Sequence, residues 1–134
     1  MRMARLLLLL LLAGCSAAGP RCAALPGQPQ VTVQLLFGRS LKGGGVVDDA
    51  AWQDFLARSV TPRFPDGLTV LNGSGQWRQR ATGKIVSEPS TVVEIVTDES
   101  PEMFQRLDAI RADYRQRFNQ ESVGLVVNES CASF

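Results

Sequence analysis

Residues 31–37 read Val-Thr-Val-Gln-Leu-Leu-Phe, and this stretch decides the fold because apolar side chains recur at every second position. Val31, Val33, Leu35 and Phe37 therefore share one face of a β-strand, which can pack against a core. Similar strand patterns predict three more strands, at residues 68–71 with an extension towards residue 78, at residues 84–97 and at residues 122–127.

Two stretches between these strands have the period of a helix instead. The first begins after a capping Asp48 or Asp49 and ends at Thr61-Pro62, because the residue before a proline disfavours the α conformation. Its inward-facing residues are Trp52, Phe55, Leu56 and Val60. The second opens at Ser100-Pro101-Glu102, a cap followed by proline and an acid in the first turn. Its apolar stripe is Met103, Leu107, Ile110, Tyr114 and Phe118.

The element order is thus βαββαβ, which predicts an α+β fold of the ferredoxin-like type. This is a sandwich of a four-stranded antiparallel sheet with two helices on one face. The other sheet face is more apolar than a fully solvated face requires, so we expect either a homodimer through this open face or shielding by the long second hairpin. The residues assigned to it are Thr32, Gln34, Leu36, Thr69, Leu71, Val92, Glu94, Val96 and Val126.

The start of the chain has the features of an export signal. Arg2 and Arg5 precede seven leucines, a run far too short to span a bilayer. The segment Leu12-Ala13-Gly14-Cys15 resembles the lipobox of bacterial lipoproteins, which implies cleavage before Cys15 and acylation of its thiol. We therefore expect a signal peptide over residues 1–14, a lipidated Cys15 with a flexible tether over residues 15–30, and a single domain over residues 31–134. A buried or leftover thiol is the alternative for Cys15. The expected location is the cell envelope, and in a Gram-negative cell the periplasmic side of the outer membrane.

The three cysteines of the chain fit this reading. With Cys15 assigned to lipid, Cys22 and Cys131 remain as an even pair in an oxidising compartment, which predicts a disulfide. The two positions precede the first strand and follow the fourth. These strands are antiparallel neighbours in the predicted topology, so both cysteines belong at one edge of the sheet. Two free thiols are the alternative.

Charge and composition narrow the function. Removal of Arg2 and Arg5 with the signal leaves 12 basic side chains against 13 acidic ones, so net charge gives no case for a nucleic-acid partner. The chain has no histidine, the commonest general base and a usual zinc and haem ligand. We therefore expect no cofactor and no metal.

The candidate binding rim is a set of polar and aromatic residues around the middle hairpin, since Trp and Arg dominate interface hot spots. Its members are Arg63, Asp66, Trp77, Arg78 and Glu88. A purely structural alternative pairs the two arginines with Asp66 and Glu88 while Trp77 covers the sheet edge. An acid–base pair of Asp66 and Glu88 is a further alternative, although nothing in the sequence fixes their separation.

Several segments together resemble one bacterial family, the domain of unknown function 3574. The most specific is Thr61-Pro62-Arg63-Phe64-Pro65-Asp66-Gly67-Leu68-Thr69-Val70. The others are Phe37–Ser40, Trp52–Leu56, Gly75–Arg78, Glu88–Ser90, Arg117–Val123 and Cys131–Phe134. The resemblance runs from about Thr32 to Phe134. It implies a small exported domain, often a lipoprotein, with no established activity and no catalytic residues to carry over.

Three hypotheses for the function follow. The first is an envelope lipoprotein, attached to the membrane through its lipid, whose domain is a binding or accessory module for an envelope protein or a small ligand. The second is a small cofactor-free enzyme that uses Arg63, Asp66 and Glu88. The third is a structural subunit of an envelope complex. An enzyme should have a concave pocket that joins the hairpin to these polar groups, whereas a binding module should have a flatter patch with an exposed Trp77.

Overall fold

The first strand, β1 (Gln28–Gly38), lies inside the sheet, and every other strand is placed relative to it. A computed structural model of the protein describes residues 22–134. The predicted signal peptide, the predicted lipidation site Cys15 and the first part of the predicted tether lie outside these residues. The sheet begins at Gln28, three residues before the predicted domain boundary, because residues 28–30 pair with the last strand.

The sheet has four strands in the order β2-β3-β1-β4, and all neighbouring strands are antiparallel. The other three strands are β2 (Thr69–Arg78), β3 (Ile85–Thr97) and β4 (Gly124–Ala132). With two helical segments packed on one face, this order confirms the ferredoxin-like α+β sandwich. The fourth strand extends five residues beyond the predicted Val127, and this added part pairs with the start of β1.

The core lies between the sheet and the helices, and Phe37 is at its centre. Its ring centroid is 5.2 Å from that of Trp52, 5.8 Å from that of Phe55 and 4.7 Å from that of Tyr114. Edge-to-face contacts of this kind add to the stabilisation that comes from burying apolar area. All four side chains are buried, and the predicted alternation of β1 is confirmed.

The first helix changes its winding partway along. The α-helix α1 (Asp49–Phe55) begins at Asp48, whose carboxylate accepts a hydrogen bond from the Ala51 amide at 2.8 Å. It continues as a π-helix (Leu56–Val60), which closes with a bond from the Thr61 amide to the Leu56 carbonyl at 2.9 Å. Ser59 and Val60 are buried in this wider turn, and the predicted inward-facing Leu56 packs half-buried against the core.

The second helix, α2 (Pro101–Phe118), begins and ends as the sequence predicts. The Ser100 hydroxyl accepts a hydrogen bond from the Met103 amide at 3.0 Å, and the left-handed Asn119 ends the helix. Four of its five predicted inward residues are buried. The fifth, Phe118, is half-buried at the C-terminal end of the helix and packs against the core. No helix among residues 22–134 is long and apolar enough to cross a bilayer.

A disulfide between Cys22 and Cys131 joins the chain ahead of β1 to the end of β4, with the two Cα atoms 5.6 Å apart. Between Cys22 and β1 the backbone passes so close to Ala132 that a side chain would not fit. A Cβ at Gly27 would lie 2.6 Å from the Ala132 carbonyl oxygen, and the φ of Gly27 is +135°. Both features require glycine at this position.

We expect Cys131→Ser to lower the free energy of unfolding by about 2–5 kcal/mol, because the disulfide closes a long loop in the unfolded chain. Urea unfolding under non-reducing conditions, followed by circular dichroism, measures this loss. The control is the double variant Cys22→Ser/Cys131→Ser, which should match the single variant, as should the reduced wild type. Equal midpoints for oxidised and reduced wild type would contradict a stabilising bond.

Candidate functional site

The structure does not bring the five predicted rim residues together. Arg63 and Asp66 precede β2, whereas Trp77 and Arg78 end it. A strand rises about 3.3 Å per residue, so the eight steps from Thr69 to Trp77 separate the two groups by about 26 Å. Glu88 lies with the second group, since it pairs with Gly75 across the hairpin.

Arg63 has a structural role at its own end. Its guanidinium lies 3.1 Å from the Asp113 carboxylate on α2 and donates to the Ser59 carbonyl at 2.6 Å. The partner of Arg63 is therefore Asp113, whereas the structural alternative from the sequence named Asp66 and Glu88. Asp66 itself is exposed in the turn before β2.

Trp77 and Glu88 do share a surface, the open face of the sheet. Trp77 pairs with Val86 and Gly75 with Glu88, so Trp77 and Glu88 are diagonal neighbours within reach of each other. Arg78 pairs with Ile85 and points to the opposite face of the hairpin. Trp77 is 44% exposed, which fits a flat patch better than a covered sheet edge.

On the open face, beyond the row of Gly75 and Glu88 from Trp77, lies a strip of small residues that is bordered by an apolar row. The strand registers align Gly73, Ser90 and Gly38 across the sheet. The next row towards the middle of the sheet is Leu71, Val92, Leu36 and Gly124. Leu71 is 51% exposed and Leu36 is 41% exposed. The strip of small residues therefore lies between Trp77 on one side and the apolar row on the other, with Glu88 near one end, and we call this strip the trough.

Glu88 fastens the end of this trough to the loop after β1. Its carboxylate accepts a hydrogen bond from the Ser40 amide at 3.1 Å. A Cβ at residue 38 would lie 2.8 Å from both carboxylate oxygens, so Gly38 leaves the space that Glu88 occupies. Pro89 adds a backbone bond, since its carbonyl accepts from the Arg39 amide at 2.9 Å.

Three side chains outside the candidate binding rim make further polar contacts around the end of β1. Arg39 is buried and donates to the Val47 carbonyl at 2.8 Å and to the Asp49 carboxylate at 2.7 Å. The Tyr114 hydroxyl donates to the Gly38 carbonyl at 2.9 Å, and the Gln120 amide donates to the Ser40 carbonyl at 2.7 Å. The one signal in the sequence was that Arg39, Glu88 and Gln120 belong to three separate segments of the family resemblance.

A concavity of about 280 Å³ lies on the helical layer and does not reach the hairpin. Its lining residues are Phe55, Arg58, Ser59, Asp113, Gln116 and Arg117. Opposite charges are matched around it: Asp54 binds Arg58 at 2.6 Å and Arg117 at 2.8 Å. Hydrogen bonds from Arg58 and then from Arg117 lower the pKa of Asp54. A carboxylate held in its charged form by two arginines is a poor general base.

The geometry also bears on metals. Among residues 22–134, no three Cys, Asp or Glu side chains come together as ligands for an ion. The open trough, which is bordered by the exposed side chains of Trp77, Leu71 and Leu36, is the arrangement best suited to contact another molecule.

Burial raises the pKa of Tyr114 to about 12; the positive charge of Arg39 opposes the shift and the negative charge of Glu88 adds to it. The pKa of an unfolded tyrosine is about 10, so the buried hydroxyl stabilises the fold below pH of about 10. We expect this contribution to be lost as the pH rises from about 10 to about 12. Tyr114 is the only tyrosine in the chain, so tyrosinate absorbance reports it directly.

The control for this titration is Tyr114→Phe, which removes the absorbance and should lose less stability than wild type over that pH range. The same titration in concentrated urea should have its midpoint near pH 10. A folded-state midpoint near that of the urea-unfolded chain would contradict the burial argument.

Comparison with known proteins shows likeness in sequence to a family and likeness in fold to solved structures. A family model described as "Protein of unknown function (DUF3574)" matches residues 32–134. No curated protein matches the sequence.

A phage SAM lyase in complex with S-methyl-5'-thioadenosine has a TM-score of 0.59 at 18% identity, over 77% of this chain and 90% of the lyase. The apo form of a phage SAM lyase has a TM-score of 0.56 at 18% identity, over 81% and 94% of the two chains. CutA from Synechococcus elongatus has a TM-score of 0.52 at 14% identity, over 80% and 82%. At these identities the likeness concerns the fold alone.

Proposed function

Since the chain belongs to the DUF3574 family of proteins of unknown function, its activity has to be inferred from its own residues, and we propose that it is a lipid-anchored envelope protein that binds a partner through the open face of its sheet. The anchor in this proposal is Cys15, and the binding surface is the trough between Trp77 and the apolar row. The domain would act as an accessory module in the envelope.

The proposal rests on the observation that the disulfide and Trp77 lie at opposite ends of the sheet. Cys22 is fixed to Cys131 at the end where β1 begins, whereas Trp77 lies at the far end of the hairpin. Counted along the strand registers, the two ends are about 40 Å apart. The chain from Cys15 to Cys22 spans at most about 25 Å when fully extended. Trp77 therefore lies far from Cys22, so the proposed anchor and the proposed binding surface do not overlap.

The chemistry of the trough supports a macromolecular partner over a small substrate. It is shallow, its floor is glycine and serine, and its borders are the exposed side chains of Trp77, Leu71 and Leu36. Aromatic and aliphatic anchors around a flat surface are typical of protein interfaces. A second copy of the chain is one such partner, and it would form the homodimer expected from the apolar open face.

We do not favour an enzyme, because the proposed constellation of Arg63, Asp66 and Glu88 is split between the two ends of β2. The groove on the helical layer is lined by neither Asp66 nor Glu88, and Arg63 only borders it, where it is bound to Ser59 and Asp113. S-methyl-5'-thioadenosine is the ligand of the phage lyase, and nothing in the trough of this chain selects it.

We expect Cys15→Ala to abolish palmitate labelling and membrane fractionation, since acyl chains on this thiol are the proposed anchor. Labelling cells that express the full chain, followed by membrane separation, gives both readings. The matched control is Cys22→Ala, which removes a different thiol and should still be labelled. A Cys15→Ala chain that keeps its label would contradict the lipid anchor.

The binding surface is tested by photo-crosslinking in intact cells, with a photoreactive residue in place of Trp77. We expect capture of a defined protein at this position. The control position is Phe104, which is 38% exposed on the outer side of α2. Capture of a second copy would identify the homodimer. Equal capture at both positions, or capture of no macromolecule at Trp77, would contradict a partner site on the open face.

A further inference from the structure

The hairpin between β2 and β3 continues beyond the last row that it shares with β1. Its last row shared with β1 is Gly73, Ser90 and Gly38, and residues 76–87 form a two-stranded arm beyond it. Arg78 is five residues past Gly73, so the paired hairpin extends about 17 Å beyond that row, and the arm is its outer part. The arm packs on neither helix, and an isolated two-stranded ribbon is marginally stable in water.

The charge of the arm is of one sign. Arg78, Arg80 and Lys84 lie within residues 76–87, which contain no acidic residue. All three are exposed, and none forms an ion pair with the part of the chain that the structure describes. The nearly neutral net charge of the chain therefore conceals a local concentration of positive charge.

The turn at the end of the arm is well defined. The Gln79 amide donates to the Lys84 carbonyl at 2.9 Å, and the Gly83 amide donates to the Gln79 carbonyl at 2.8 Å. The Thr82 hydroxyl donates to the Gln79 side chain at 2.7 Å. These bonds keep Arg80 and Lys84 together at the tip, so the positive charge is presented at one place.

The side of the arm that faces away from the trough adds an apolar group to these charges. Ile85 pairs with Arg78 across the two strands, and it is 59% exposed. Trp77 lies on the other side, with the open sheet face. The arm thus has one aromatic side, which belongs to the trough, and one side on which a cation and an aliphatic side chain are adjacent.

We propose that this second side and the tip of the arm, formed by Arg78, Arg80, Lys84 and Ile85, bind an anionic phospholipid surface. Basic side chains next to exposed apolar ones bind such surfaces by combining attraction to lipid phosphates with burial of apolar area. The proposal rests on the proposed function for its access to a bilayer, because the lipid on Cys15 would hold the domain within a few tens of ångströms of one. With both ends of the sheet at the membrane, the domain lies along the surface and the trough remains open to a partner.

The test uses the oxidised, lipid-free chain of residues 16–134, which contains the whole described fold and its disulfide. Co-sedimentation compares vesicles of phosphatidylcholine alone with vesicles that also contain phosphatidylglycerol. We expect binding to the anionic vesicles, weakening as salt is added. At about 1 kcal/mol for each cation near an anionic surface, the triple variant Arg78→Gln/Arg80→Gln/Lys84→Gln should bind roughly 100-fold more weakly.

Matched variants distinguish vesicle binding by the arm from the effects of net charge and of general hydrophobicity. Arg58→Gln/Arg115→Gln/Arg117→Gln removes the same charge from the helical layer and should bind within a few-fold of wild type. Ile85→Ser should weaken binding several-fold, whereas Phe104→Ser on α2 should not. Circular dichroism of each variant confirms that it is folded.

Three results would overturn the proposal: no binding to anionic vesicles, equal binding to both kinds of vesicle, or an equal loss in the two triple variants. Binding of the wild-type arm to an acidic protein but not to anionic vesicles is a case of the first result, and it too would overturn the proposal. The chain in this test carries no acyl group. A negative result therefore does not bear on the proposed lipid anchor at Cys15. Conversely, a Cys15→Ala chain that keeps its label leaves the affinity of the arm measurable.

Discussion

The alternation of side chains along β1 is the constraint on which the rest of the structure depends. Because β1 pairs with β3 on one side and β4 on the other, its register fixes which residues of three strands face the helices. Phe37 is the last core residue of this series, and it contacts rings from both helices. A shift of one residue would turn Phe37 away from the helix rings to the open face and bring Gln34 and Leu36 into the core.

The corner after β1 follows from the same placement. Because Phe37 is held in the core, Gly38 and Ser40 emerge at a fixed position beside β3, where Glu88 can accept the Ser40 amide. Tyr114 reaches Gly38 from the opposite side because its ring packs on Phe37. Buried aromatic packing and surface polar contacts are therefore coupled, and the base of the hairpin arm is fixed to the same point. This coupling gives the arm a defined orientation although it packs on no helix.

Much of the fold could be predicted from the sequence, and the parts that could not have specific causes. Period-two and helical patterns located the strands and helices because the core faces of β1 and α2 are regular. The end of β4 was missed because Asn128, Glu129 and Ser130 have little strand propensity, and pairing with β1 overrides that preference. The π-helix was missed because helical periodicity assumes one winding. The candidate rim was predicted as one surface, since proximity in sequence does not reveal that Arg63 and Trp77 lie at opposite ends of one strand.

The disulfide has a mechanical consequence for a domain held at its amino end. A force applied to the chain before Cys22 is transmitted along two routes. One leads through Cys131 to β4, and the other leads through residues 23–27 to β1. Tension is then divided between an inner strand and its neighbour, both loaded at the same end. The start of β1 and the end of β4 cannot move apart from each other while the sulfur–sulfur bond is intact. Reduction would convert this shared load into a pull on β1 alone, so the redox state of the compartment would set the force that the domain withstands.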